Sequence, residues 1–365
     1  MTTDPVRVSF VGAGGICRQR HLPGLARIPG VRLAAVCNRS AESSARARAE
    51  WGFEGIETDW RRVVDDPSID AVFIGTWPYL HREISIAALE AGKHVFCQAR
   101  MCMNWPEAVE MVQAADAHPR QVHMVCPSPF RVRWEPTVKL ALASPEFGAL
   151  VSVQVRSLSG VNRDLGQVSW REQKSLSGLN ILQVGIFAET LHAWCGEYGE
   201  LTARTRIEIP EKRVAGEVVA IDVPQVTIIA GTLAGGEHCT EHHSGVATDE
   251  ECSEIVVVGS EGRLKVDLLA QQVLLIPHLP SGEMGTEAKL LDKEGQPWQV
   301  EAEFIAAIRA ARRGESWRVS PDFREGARYM RKMQAIHDSA LKGDFVSLAD
   351  YPLAGPPPSA GGESR

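Results

Sequence analysis

Long hydrophobic runs are missing from this chain. Nowhere in its 365 residues do eighteen apolar residues follow one another, so no helical membrane span is expected. The opening residues, Met1-Thr2-Thr3-Asp4-Pro5, lack a basic stretch followed by an apolar one, the pattern of a secretory signal, and a cytoplasmic location is expected. A basic stripe is missing as well: the formal net charge is -7 with acids and bases interspersed, which argues against nucleic acid as a direct partner. Cysteine is sparse at 8 residues, and Cys37, Cys97 and Cys126 fall inside apparent strands, so they read as small buried apolar residues rather than as a disulfide framework. No internal repeat is found. What remains is a chain long enough for two domains, 44% hydrophobic, whose expected partner is a small molecule.

The first third alternates short apolar runs with helical patterns. Val6 to Val11, Leu33 to Cys37, Ala71 to Gly75, His94 to Cys97 and Val122 to Cys126 read as strands; Arg18 to Ile28, Ala41 to Trp51, His81 to Ala91 and Trp105 to Ala117 read as helices. Strands separated by helices of this length predict right-handed βαβ units in a doubly wound parallel sheet. After Phe130 the rhythm changes to alternating segments, Leu150 to Ser157, Thr202 to Glu208, Gln225 to Gly231, Glu254 to Gly259 and Gln272 to Ile276, which predict a second, α+β domain with a large, mostly antiparallel open sheet. Helices are expected over Ile181 to Trp194, Val300 to Arg313 and about 321 to 341, the last capped from Ser320-Pro321-Asp322. The tail from Pro352 has no packing pattern and is expected to be mobile.

Directly after the first strand comes Gly12-Ala13-Gly14-Gly15-Ile16-Cys17, opening a helix. Gly12 permits a tight turn, and Gly14 lets the backbone approach a pyrophosphate that the following amides and helix end stabilise; Cys17, at the third glycine position, is small enough for close packing. A dinucleotide cofactor is the expectation. At the end of the second strand, where an acidic side chain would hold both ribose hydroxyls, the chain has Asn38-Arg39-Ser40. Arg39 and Ser40 suit a ribose phosphate and lean toward NADP, while Asn38 can also bond a free hydroxyl, so NAD and NADP both stay open.

Val11-Gly12-Ala13-Gly14-Gly15-Ile16 with Arg20-His21-Leu22-Pro23, then Thr76-Trp77-Pro78-Tyr79-Leu80-His81, Ala88-Leu89-Glu90-Ala91-Gly92-Lys93-His94-Val95 and Trp170-Arg171, resemble in content and order the glucose-fructose oxidoreductase, inositol dehydrogenase and MocA family. The resemblance implies a Rossmann domain over 1–127, a substrate-binding and oligomerisation domain over 128–351 whose last helix packs back on the first domain, and a tail over 352–365. It implies a homodimer or homotetramer formed through the large sheet, and a sugar or cyclic polyol substrate held between nicotinamide and sheet. Carried over by position, Thr76, Trp77 and His81 lie along the cofactor, Gln98 lies near the nicotinamide ribose, and Trp170 and Arg171 border cofactor or substrate.

The departures from that family fall at its proton-transferring positions. Hydride transfer from a carbinol needs a base, which the family supplies as a lysine after the fifth strand and as an Asp and a His four residues apart on one helix. Here these positions hold Ala99, Gln183 and Phe187, none of which accepts a proton at neutral pH. The replacement candidates are Arg100, one step past the missing lysine; Glu189 and His192, otherwise a surface pair three apart; and Asn180 and Gln183, which can orient a substrate. The leading expectation is an NAD(P)-dependent oxidoreductase with a non-standard site. The alternatives are an enzyme that uses bound NAD(P) transiently to hydrolyse or eliminate, and a ligand sensor that has lost catalysis. Glu237 to His243 contains enough ligand atoms to suggest zinc, but strand alternation splits His238, Thr240 and His242 from Cys239, Glu241 and His243, and no metal is expected.

Overall fold

A computed structural model describes residues 5–279, 281, 283 and 285–353. The chain divides into two compact units, one running through Pro127 and taking in Gln299–Ala327, the other formed by Ser128–Trp298 and Arg328–Pro352. The expected mobile tail lies outside the described residues from 354 onward.

In the first unit, β1 (Val6–Val11), β2 (Val31–Cys37), β3 (Gly55–Glu57), β4 (Ala71–Ile74), β5 (His94–Cys97) and β6 (His123–Val125) form a parallel sheet in the order β3-β2-β1-β4-β5-β6. A sheet covered on both faces needs uninterrupted apolar strands, and every residue of β4 is buried. Strand order reverses between β1 and β4, which opens a crevice beyond their carboxyl ends. Phe10, Phe73 and Phe96 stack from strand to strand at 4.9 and 4.5 Å, and Phe304 of the Val300–Arg312 helix meets Phe73 and Phe96 edge-on at 5.4 Å. That aromatic contact is why Gln299–Ala327, expected in the second domain, groups with the first unit. Such a Phe is worth about 3–5 kcal/mol against truncation.

The helix expected over Arg18 to Ile28 is instead a π-helical turn, Cys17–His21, followed by a short α-helix, Leu22–Ala26. Pro23 has no N–H, so an α-helical hydrogen-bond ladder cannot continue through it. The wide turn leaves both Cys17 and His21 buried.

In the second unit, β7 (Leu150–Leu158), β8 (Tyr198–Arg206), β11 (Val226–Leu233), β12 (His238–Ser244), β13 (Cys252–Gly259), β14 (Gly262–Asp267), β15 (Gln272–Pro277), β16 (Lys289–Asp292) and β17 (Val346–Ser347) build one sheet in the order β16-β15-β14-β13-β7-β12-β11-β8-β17, and β9 (Glu211–Val214) pairs with β10 (Glu217–Ala220) as a ribbon. Only β7 and β12 run parallel. Burial along β12 alternates as the pleat demands, with Cys239, Glu241 and His243 inside and His238, Thr240 and His242 outside. Register places Ser253, Ser157, His243, Thr227 and Thr205 side by side across five strands, next to an apolar row, Ile255, Val155, Ile229 and Ala203, that Glu241 interrupts. A helix over Pro129–Leu142 also belongs to this unit.

The helix expected from Ile181 begins at Val184. Leu182 takes a left-handed φ of 44°, turning the chain before the helix starts, so Asn180 stands outside it and Gln183 caps it.

Candidate active site residues

The glycine turn joins two requirements in the first unit. Gly12 has φ 86°, and a Cβ there would lie 2.6 Å from the Thr76 amide; a Cβ on Gly75 would lie 2.2 Å from the Gly12 carbonyl and 2.4 Å from Cys17 Sγ. No side chain fits at either place, and Gly75 makes the room that Cys17 takes. Gly14 and Gly15 are different. A Cβ on Gly14 meets its nearest neighbour at 4.0 Å and one on Gly15 meets nothing within that range, so these residues face open space at the head of a helical turn. The first N–H groups of any helix lack intrahelical acceptors, which makes this a seat for an anionic phosphate, and the residues present fit a dinucleotide.

Asn38 does something its sequence position does not suggest. Its Oδ1 accepts from the Ala13 N–H at 2.7 Å and its Nδ2 donates to the Ser43 carbonyl at 3.1 Å, while its own N–H donates to Ser44 Oγ at 2.9 Å. The side chain expected to hold ribose hydroxyls is engaged in bracing the glycine turn. Arg39 is exposed, its guanidinium 5.9 Å from the Trp77 ring centroid, and Ser40 caps the Ala41–Trp51 helix by accepting from the Ser43 N–H at 3.2 Å.

His81 ties the Thr76 segment to Arg100. Its Nδ1 lies 3.0 Å from the Arg100 carbonyl and its Nε2 lies 3.0 Å from the Thr76 carbonyl. Burial pushes the imidazole down in pKa against the pull of these carbonyls, which favours the neutral ring. Thr76 Oγ1 is buried and has no hydrogen-bond partner among the described residues. Arg100 is itself buried, and the peptide joining it to Ala99 is cis. Gln98, also buried, accepts from the Ala99 N–H at 3.1 Å and bonds through its amide to His21, whose Nδ1 is 2.5 Å from Glu301 Oε1.

In the second unit, Trp170 and Arg171 sit on a single turn, the guanidinium 4.3 Å over the indole. Ser169 and Glu172 cap that turn reciprocally, and Glu172 is paired with the buried Lys212 at 2.8 Å. Asn180 is buried and donates to the Ser177 carbonyl at 2.6 Å. Gln183 is exposed, whereas Phe187, one turn on, is fully buried between Phe130 and His243, with ring centroids at 5.6 and 5.4 Å. Glu189 is no surface residue: its carboxylate accepts from the Ser128 N–H at 2.6 Å and pairs with Arg131 at 3.2 Å. Both ring nitrogens of His192 are buried without a partner among the described residues, and burial, followed by the charge of Lys332, pushes its pKa well down. Glu189 and His192 therefore do not form the pair that their spacing suggests.

One cluster has no forerunner in the sequence. Lys332 Nζ lies 2.5 Å from Glu241 Oε1, the Tyr198 hydroxyl donates to the same oxygen at 2.7 Å, and His243 Nε2 lies 3.0 Å from Oε2, all in the interior. Burial raises the Glu241 carboxyl, but Lys332 and His243 outweigh it and hold the group far below the usual carboxylate range. The signal present in the sequence was Glu241 at an inward position of β12.

A parallel sheet with a glycine turn at its switch point gives the first unit the architecture of a Rossmann fold. Comparison with known proteins places it more narrowly: residues 6–125 match the model of the oxidoreductase family with an NAD-binding Rossmann fold. Levoglucosan dehydrogenase of Pseudarthrobacter phenanthrenivorans is 34% identical over 211 residues, 55% of this chain and 50% of that protein. 1,5-Anhydro-D-fructose reductase of Ensifer adhaerens is 38% identical over 109 residues, 30% of this chain and 32% of that protein. The matched segment thus spans half of the first relative and a third of the second. The solved structure of levoglucosan dehydrogenase in complex with NADH and L-sorbose superposes with a TM-score of 0.82 at 24% identity, covering 94% of this chain and 98% of that one, which establishes the two-part fold.

Proposed function

We propose that this chain is a nicotinamide-dependent oxidoreductase acting on a small polyhydroxylated compound, a sugar or cyclic polyol. The observation that carries the reading is the Gly12 to Ile16 turn: Gly12 locked by packing against Gly75 and Thr76, Gly14 and Gly15 facing open space, at the switch point of a parallel sheet. Relatives named as sugar dehydrogenases and reductases support the substrate class. A homo-oligomer formed through the exposed face of the large sheet, and a soluble cytoplasmic protein, belong to the same reading; no described helix is long and apolar enough to cross a membrane.

For the cofactor, Gly14, Gly15 and Ile16 would seat the phosphates, and Thr76, Trp77 and His81 would line its path. We assign Asn38 to the turn, and Arg39 with Ser40 to a ribose phosphate, so NADP is the preferred form. When bound, nicotinamide supplies or accepts a hydride. Among the chain's own residues, Arg100 would stabilise developing negative charge on oxygen, and Asn180 with Gln183 would orient the substrate, with Trp170 and Arg171 bordering it. Glu189 is assigned a structural part, because both carboxylate oxygens are engaged. His192 is too enclosed to exchange protons with substrate, which leaves water as the proton carrier. Titration with NADH and NADPH, followed by a panel of sugars and cyclitols, tests the reading: binding of either and turnover of one panel member is the expected result, and failure to bind both would end it.

The packed ring of Phe187 favours a second reading, a sensor that has lost catalysis, since it closes a proton-transferring position with an aromatic. Under that reading Arg100→Ala abolishes no turnover, there being none, and Ala99→Lys creates it only when combined with Gln183→Asp and Phe187→His.

A further inference from the structure

We propose that Gln98, His21 and Glu301 form a directed hydrogen-bond relay that holds His21 as the neutral Nδ1–H tautomer and positions the Ala99–Arg100 segment. The inference rests on the first unit's geometry alone and does not need the redox reading.

Each link can run only one way. The Ala99 N–H can only donate, so the Gln98 atom facing it at 3.1 Å is the carbonyl Oε1. That orientation turns the Gln98 NH2 toward His21 Nε2. An amide NH2 has no lone pair to offer, so His21 Nε2 must receive it, and a neutral ring with a bare Nε2 carries its proton on Nδ1. Nδ1 is the atom 2.5 Å from Glu301 Oε1, which as a carboxylate can only accept. From backbone amide to carboxylate, every donor meets an acceptor.

The surroundings enforce the arrangement. His21, Gln98 and Glu301 are exposed by 0, 7 and 2%. Phe96 meets the imidazole edge-on at 5.0 Å, and the Cys126 thiol lies 3.9 Å from Nε2. A Cβ on Gly24 would come within 2.6 Å of Glu301 Oε2, so the helix after the glycine turn is hollowed to admit this carboxylate. The relay thereby links the π-helical turn that follows the phosphate-binding glycines, the end of β5 and the Val300–Arg312 helix.

The residue at position 98 sets the charge at its centre. A glutamate there could only accept, so Nε2 would have to bear a proton and His21 would become an imidazolium between two carboxylates. Glutamine keeps the ring neutral, with Glu301 the single charge. Gln98 is then a positioning residue that acts through Ala99 on Arg100, not a cofactor contact.

Nitrogen spectra of the full-length protein carrying isotope-labelled histidine test this, with the His21 signals assigned by their loss in His21→Gln. At neutral pH the wild type is expected to show one protonated and one bare nitrogen, Nδ1–H and Nε2. Gln98→Glu, whose carboxylate can only accept from Nε2, is expected to protonate both nitrogens under the same conditions. Glu301→Gln, whose amide can still offer an oxygen to Nδ1–H, is expected to keep the wild-type tautomer. Backbone hydrogen exchange at Ala99 should rise roughly tenfold in Gln98→Ala and stay unchanged in Glu301→Gln. An Nε2–H tautomer or an imidazolium in the wild type overturns the proposal, as does a neutral His21 in a folded Gln98→Glu. Should Gln98→Glu fail to fold, the wild-type tautomer and the exchange pair decide alone. None of these measurements uses cofactor or substrate, so failure to bind nicotinamide would remove the redox reading and leave the relay standing.

Discussion

The two units satisfy their buried polar groups in opposite ways. In the first, His21, Gln98 and Glu301 form a chain in which neutral groups hand a hydrogen bond toward one carboxylate, joining three segments near the glycine turn. In the second, Lys332 and Glu241 carry full charges and neutralise each other, with Tyr198 and His243 filling the remaining lone pairs. The first arrangement transmits orientation; the second only balances itself. In the first unit Gly14 and Gly15 face open space, whereas in the second Gln183 is an exposed amide and Phe187 a packed ring.

The sharpest way to break the contrast is Lys332→Met. It strands the Glu241 carboxylate in an apolar row, and an expected loss of about 3–5 kcal/mol in chemical unfolding follows from removing one partner of a buried pair. Replacing both partners by apolar residues, Lys332→Met with Glu241→Leu, should restore most of it. A single variant costing less than about 1 kcal/mol would show that the cluster is hydrated and not a closed pair.

Next comes the glycine turn. Gly12→Ala forces a Cβ to 2.6 Å from the Thr76 amide at φ 86°, a strain of about 1–3 kcal/mol, and dinucleotide affinity by fluorescence titration should fall at least tenfold with it. Gly15→Ala, whose Cβ meets nothing within 4 Å, should lose little stability yet weaken phosphate binding, separating packing from ligand approach.

Acid stability distinguishes the units further. The Glu241 carboxyl is held below its ordinary value of 4.5, so its contribution is complete above that pH and is lost as pH falls below it. Unfolding of the wild type should therefore steepen in that window by up to about 1.4 kcal/mol per pH unit, and Glu241→Leu paired with Lys332→Met should flatten the slope. An unchanged slope would place the acid sensitivity elsewhere.

How much of this is legible in the sequence depends on whether the determining contact is local. β4 announces itself because a sheet covered on both sides needs unbroken apolar runs, β1 and β5 because they are short, mostly apolar segments between helical patterns, and the Gly12 turn because φ 86° admits little else. The Pro129–Leu142 helix is hidden by Pro136 in its interior. The surface reading of Glu189 failed because the Val184–Trp194 helix is buried on almost every side, so this carboxylate turns inward to Arg131. The pairing of Glu241 with Lys332 spans 91 residues and leaves no periodic trace, and Glu301, 280 residues from His21, leaves none either. Asn38 misled for a different reason: an amide serves equally as ribose ligand and as turn brace, and only the position of the Ala13 N–H decides.

That ambiguity makes Arg39 the finest test. The Asn38 amide is committed to the turn, where Arg18 Nε also donates to the Ala13 carbonyl, and Glu57 pairs in register with Cys37 at the end of β2; the exposed guanidinium of Arg39, beside Trp77, is the charge of that corner with no carboxylate of its own to hold it among the described contacts. One exposed charge-assisted hydrogen bond is worth about 1.5 kcal/mol, so Arg39→Ala should lower affinity for NADPH roughly tenfold and leave NADH within about twofold. Asn38→Asp should act in two places at once. Its carboxylate can still accept from Ala13 but cannot donate to the Ser43 carbonyl, so the turn loosens while the added charge repels a phosphate, and both effects push preference toward NADH. If Arg39→Ala weakens both dinucleotides equally, the guanidinium braces Trp77 and not the phosphate, and the cofactor end would then be as self-contained as the Lys332 cluster.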